Sequence, residues 1–230
     1  MDTNSRKKVY ASVGFDFGRE WESGGWDYAL SFSTQWRPAP GTQLSVGPFY
    51  GRTLGGWQYV DQPEDRSGDT RYLFADLDQR IAGMSIRANQ TFSPTLSLQV
   101  YAQPFLASGR YADFVEVAAP RADHFRDRFA PLQAERGIVG NPDAYRVGPE
   151  ADPELSWGNP DFNVRDFNLN AVLRWEYRLG STLFLAWSHA RSGSANDPDG
   201  LFRVGREVDA LWSAPATNVL VIKANYWVSF

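Results

Sequence analysis

Only two histidines, His124 and His189, occur among the 230 residues, and there is no cysteine. Thiol nucleophiles, thiolate metal sites and disulfide scaffolds are therefore excluded. Ser188 beside His189 is the nucleophile and base that an outer-membrane phospholipase-like hydrolase would need. In a strand, however, adjacent side chains point to opposite faces, so the two cannot serve each other. His124 lies in a charged, Pro-rich stretch and reads as a solvated loop residue. Asp76 and Asp78 share a face two residues apart, but a proton-sharing dyad or glycosidase pair needs a partner from another strand. Asn196-Asp197-Pro198-Asp199-Gly200 is similar to a calcium loop, with the later Glu displaced and no flanking helices, which leaves only a weak surface cation site. Gly24-Gly25 and Gly55-Gly56 read as turns, since neither opens a helix as a phosphate loop must. No catalytic constellation, cofactor site or resident metal site is expected.

The one constellation with collective character is a row of alternate polar residues, Asn168, Asn170, Arg174, Glu176 and Arg178, with Gln99, Gln103, Lys223, Asn225 and Arg37 from other segments. Inside a closed eight-stranded barrel they would interlock as a hydrogen-bonded plug. In a wider barrel they would line a polar lumen and bias solute passage. Sequence leaves that choice open.

What would position this row is strict period-two alternation. Over 167–179 every odd residue is apolar, including Leu169, Leu173 and Trp175, while five of the six even ones are polar. Leu30 and Phe32 in 26–37, Leu98 in 96–106, and Leu220, Ile222 and Tyr226 in 220–230 occupy matching faces. Similar patterns over 9–18, 42–52 and 182–192 complete the set, together with 72–92, where the apolar phase slips near Asp78 to Ile81. A β-bulge in one long strand accounts for the slip and keeps the count at eight, with short turns at 36–41, 91–95 and 178–181 alternating with longer connections. Within the long loop 109–163 a short helix near Arg121 to Glu135 is expected, and another near Phe202 to Leu211 in the second long loop, 193–217.

An even number of long strands, with short turns at one end and long loops at the other, is the organisation of an antiparallel up-and-down transmembrane β-barrel. A lipocalin-like barrel or β-sandwich shares the alternation but turns its apolar face inward. Mid-strand charges on the polar face, and aromatics such as Trp26, Trp36, Trp175 and Tyr177 near strand ends, favour the membrane reading. So do strands of about ten residues or more, enough to cross the apolar band. The expected partners are a lipid bilayer and, on the polar side, a small solute or glycan. A formal charge of −4 argues against nucleic acid.

Ile222, Tyr226, Val228 and Phe230 in a final strand ending on an aromatic are similar to the terminal signal that barrel-assembly machinery reads in bacterial outer-membrane proteins. Residues 88–111, 170–192 and 218–230, above all Asn-Ala-Val-Leu-Arg-Trp-Glu-Tyr-Arg at 170–178, resemble the C-terminal barrel of an uncharacterised bacterial family, a domain of unknown function. Longer members of that family carry a signal peptide and a carbohydrate-binding family-nine-like domain ahead of the barrel. The resemblance runs from about Lys7 onward and implies residence in the outer membrane of a Gram-negative-type envelope, with a link to glycan handling. Met1 to Lys8 lacks the apolar run of a signal peptide. The resemblance therefore implies a C-terminal fragment or an incomplete gene model, in which the native barrel has room for more than eight strands. The expectation is one barrel domain over 1–230 with a disordered extension at 1–6.

Overall fold

The computed structural model describes residues 8–195 and 202–228. The expected extension at 1–6, the Asn196 to Gly200 motif and Phe230 lie outside the described residues. The chain is all-β and antiparallel. Its elements are β1 (Val9–Arg19), β2 (Trp26–Trp36), β3 (Thr42–Asp61), β4 (Leu73–Ser93), β5 (Leu96–Val117), β6 (Phe129–Pro131), β7 (Glu135–Ile138), β8 (Asn141–Val147), β9 (Leu155–Trp157), β10 (Phe162–Arg178), β11 (Ser181–Ala195), α1 (Val204–Ser213) and β12 (Ala216–Asn225). The main sheet runs β1-β2-β3-β4-β5-β10-β11-β12, with β6 added against β5; β7-β8-β9 form a separate small sheet.

The eight long strands and their order match the alternation, but no closed barrel is found among the described residues, where β1 pairs with β2 and β12 with β11. Closure is a property of curvature and edge pairing, which alternation within single strands does not encode. Glycines turn the chain at two short connections, where Gly41 (φ 83°) and Gly180 (φ 76°) take the left-handed conformation.

Three further expectations need correction. The segment 72–92 is one strand, yet no bulge lies at Asp78 to Ile81, where pairing with β5 is continuous from Asp78↔Arg110 to Ile81↔Ala107. The apolar phase changes because the surroundings change: Leu73 and Ala75, on the polar-face phase, are buried with Phe114, Leu155 and Trp157. Gly55-Gly56 (φ 69° and 82°) is not a turn between elements but a register shift inside β3, which continues to Asp61. The loop 109–163 is largely built into structure, since β5 extends to Val117, β10 begins at Phe162, and β7 to β9 pack aromatic residues against the tops of β4 and β5. In place of the helix near Arg121 to Glu135 there is a single 3₁₀ turn, Phe125–Arg128. The helix expected at 202–211 is α1.

Cross-strand pairs share a face, so the register extends each strand's alternation across the sheet. On one face lie Phe15, Leu30, Tyr50, Ala82, Leu106 and, across the rest of the sheet, Leu98, Leu173, Leu185 and Ile222. This apolar face is covered only near its upper edge, where Val208 and Leu211 of α1 pack on Ala102, Leu106, Phe167 and Leu169. Elsewhere it is bare: Phe15 is 65% exposed, Leu220 67% and Ile222 64%. Both clusters of buried side chains lie away from the short turns, so among the described residues no packed core underlies the lower half of either face.

Candidate functional site

The residues with collective chemistry lie on the opposite, polar face. The register places Gln103 opposite Asn168 and Gln99 opposite Val172, and carries the row onward through Arg174↔Phe184↔Lys223 and Glu176↔Thr182↔Asn225. The separated polar residues Asn168, Asn170, Arg174, Glu176, Gln99, Gln103, Lys223 and Asn225 thus share one surface because every hairpin preserves parity. Arg174 Nη2 donates to Glu176 Oε2 at 3.1 Å. Ser188 Oγ donates to Asn170 Oδ1 at 2.7 Å.

Two members of the row sit at its margin. Arg37 follows the end of β2 and donates to Gln35 Oε1 at 2.8 Å. Arg178 lies beyond a register shift after Glu176 and donates to the Tyr226 hydroxyl at 2.7 Å. It therefore joins a side chain assigned from the sequence to the opposite face. Of the remaining residues of the terminal signal, Ile222 is on the apolar face of β12, and Tyr226 and Val228 follow the strand as exposed residues.

At the centre of the polar face is a recess of about 410 Å³ lined by Arg87, Asn89, Gln99, Tyr101, Asn170 and Val172. A smaller one of about 240 Å³, lined by Tyr10, Ser33, Gln35, Ser45, Ser85 and Arg87, adjoins it. Arg87 borders both recesses, and its guanidinium lies 4.9 Å from the centre of the Tyr101 ring. The Tyr101 hydroxyl donates to Gln103 Oε1 at 2.9 Å, which fixes the ring's tip while one ring face takes the cation. Arg87, Asn89 and Tyr101 were absent from the sequence-derived row. Their signal is present in the sequence: Tyr101 lies between Gln99 and Gln103 on the polar phase of β5, and Arg87 and Asn89 occupy the polar phase of β4. Amides, hydroxyls, one aromatic face and the Arg87 guanidinium thus line the recesses. No general acid and nucleophile converge in these recesses.

The hydrolase pair is divided as strand geometry requires. Ser188 faces Asn170 on the polar face, whereas His189 shares the apolar face with Asn218, its Nδ1 lying 2.8 Å from Asn218 Oδ1. His124 precedes the 3₁₀ turn. Asp78 is occupied by Arg52 and Arg80. Among the described residues no group of three His, Asp or Glu side chains could hold a metal ion. No described helix is long and apolar enough to cross a membrane, which says nothing of strands.

Above the recesses, Phe114, Tyr145 and Trp157 stack over Leu73 and Ala75 and cap the polar face. Asp161 ties this cap to β5 by accepting the Tyr111 N–H at 2.7 Å. Burial raises its carboxyl above the usual range, against the lowering effects of that hydrogen bond and of Arg110 and Arg136. Nearer the solvent, Asp65 accepts the Ser67 and Asp69 N–H groups, and Arg71 bridges Asp65 and Glu116.

A family model described as a domain of unknown function matches residues 1–230. No curated protein and no solved structure matches the chain.

Proposed function

We propose that this chain, which belongs to the DUF5916 family, forms part of the wall of a bacterial outer-membrane β-barrel, its apolar face on hydrocarbon and its polar face on a hydrophilic lumen. The observation that carries the reading is the bare apolar face, continuous over eight strands and rich in large side chains such as Phe15, Phe17, Leu30, Phe32, Leu220 and Ile222. Soluble monomers rarely expose contiguous apolar patches beyond a few hundred Å². A lipocalin-like module would bury this face, and its polar residues would face solvent.

An eight-stranded interior is just filled by side chains, whereas a wider barrel leaves a lumen. Strands β1 and β12 run in opposite directions, so an even number of further antiparallel strands can bridge them without breaking the meander. Passage along this face is passive. The amides of Asn89, Asn170, Gln99 and Gln103, with the ring of Tyr101, give it the chemistry to pass small uncharged hydrophilic solutes, glycans included. In this reading the short turns and both termini face the periplasm, the cap lies outside, and the assembly machinery reads Ile222, Tyr226, Val228 and Phe230.

The test is flotation of the refolded chain with phospholipid vesicles, with sedimentation in detergent-free buffer as its counterpart. Stable co-flotation, resistant to carbonate extraction, is the expected result. A detergent-free, monodisperse soluble chain would overturn the reading and favour a soluble ligand-binding module.

A further inference from the structure

The apolar face ends upward in a row of arginines. From Val9 to Arg19, Thr42 to Arg52 and Ser181 to Arg191 the interval is ten residues; from Arg80 to Ser93 and from Arg165 to Arg178 it is thirteen. All five arginines occupy the apolar phase, opposite Trp26, Arg80, Phe167, Arg52 and Leu106 respectively. At about 3.3 Å per residue and a tilt of about 40°, these intervals put the row about 25 to 33 Å above the turns, the height of a barrel's apolar band.

The row is poorly neutralised. Arg52 and Arg80 stand directly opposite each other, an unfavourable pairing for like charges. They share one carboxylate, Asp78, at 2.9 Å from Arg52 and 3.1 Å from Arg80. Tyr28 and Tyr50 flank them without charge, and Asp76 lies one step higher on the same phase of β4. Arg165 and Arg206 share Glu207 of α1, which is 1% exposed. Arg165 Nε makes no hydrogen bond despite its burial. Among the described residues Arg191 meets no carboxylate, and it donates to the carbonyls of Trp212 and Ala214 and to His189 Nε2. Among the described residues four arginines of the row, Arg52, Arg80, Arg165 and Arg191, thus face two carboxylates, Asp78 and Glu207, in a chain whose formal charge is −4.

We propose that this arginine row binds the phosphate groups of anionic lipids in the outer leaflet, with the Arg52–Asp78–Arg80 cluster as its central site. Planar guanidinium groups accept phosphate oxygens in pairs, and an anion between Arg52 and Arg80 relieves their mutual repulsion. The inference rests on the membrane reading, and its test separates the two. The chain is inserted into vesicles of digalactosyl diacylglycerol, which carry no phosphate, with or without phosphatidylglycerol, and native mass spectrometry counts the phosphatidylglycerol retained. A further arm supplies inorganic phosphate in place of the lipid.

Retention by the wild-type chain is expected to fall by about fivefold for each arginine removed. The variant that tests this is Arg52→Gln/Asp78→Asn/Arg80→Gln, which leaves no orphaned acid. Asp78→Asn alone, which frees both guanidinium groups, is expected to raise retention, and Arg87→Gln on the polar face to leave it unchanged. Equal retention by the wild type and the triple variant, both normally inserted, would overturn the proposal, as would competition by inorganic phosphate at equal concentration. Failure to insert into either vesicle would instead overturn the membrane reading on which the proposal depends.

Discussion

Replacing Leu173 by Arg and, separately, its neighbour Val172 by Arg sets the two faces against each other at nearly the same height. Leu173 lies opposite Leu98 and Leu185 on the apolar face, and Val172 opposite Gln99 and Ala186 on the polar one. The apolar phase of β10 spans Phe167 to Trp175, with Ala171 at its middle. Leu173 is two residues below Ala171, so at about 3.3 Å per residue and a tilt of about 40° it sits about 5 Å from the midplane. An arginine facing lipid costs about 2–4 kcal/mol at the midplane and about 0–1 near the interfaces, which interpolates to about 1.5–3 kcal/mol for Leu173→Arg. Val172→Arg enters a recess already lined by Arg87, Gln99 and Asn170, where the guanidinium stays hydrated. Its cost is expected within about 0.5 kcal/mol. Reversible urea unfolding from phospholipid vesicles, with matched slopes, gives both numbers. Equal costs, or a larger one for Val172→Arg, would refute the face assignment.

Gly83→Val should cost about 1–3 kcal/mol in the same titration, because a Cβ there would stand 2.5 Å from the Phe49 ring and 3.0 Å from the Pro104 carbonyl; no loss of stability would mean the two strands do not approach so closely. Trp157→Ala should cost the cap about 3–5 kcal/mol, measured by hydrogen exchange on β7 to β9, with exchange in β12 unchanged. Asp161 has a folded-state pKa raised by burial, so the cap should lose stability as pH rises from the ordinary carboxylate value through that raised one. Asp161→Asn keeps an acceptor for the Tyr111 N–H and should abolish this dependence, read from exchange at that amide. Asp65 is the opposite case. Its carboxyl is held low, chiefly by the Asp69 N–H, so protection at Asp69 should persist at neutral pH and fade as pH drops through the lowered value.

Much of this fold was legible because period-two alternation is a local signal. The eight strands, the preserved parity that unites Gln99, Gln103, Asn168 and Lys223, and α1 could all be read from side-chain type and spacing. The cap could not, since Leu73, Ala75, Phe114 and Trp157 meet only through contacts distant in sequence, and their burial was misread as a bulge at Asp78 to Ile81. Gly55-Gly56 misled because two left-handed glycines serve equally well to end a strand or to kink one. The arginine row was hidden for another reason. Arg52, Arg80, Arg165 and Arg191 lie on four strands at four different register positions, and they align only once pairing and stagger are known.

The absence of native cysteine makes one direct measurement clean. Leu98→Cys and Gln99→Cys, adjacent on β5 near the middle of the sheet, can each carry a fluorophore in vesicle-inserted protein. The account predicts strong quenching of the label at 98 by nitroxide-bearing lipid chains and weak quenching by aqueous iodide, with the reverse at 99. Iodide reaching both labels alike, or lipid nitroxide quenching position 99 in preference to 98, would contradict the assignment of the apolar face to hydrocarbon.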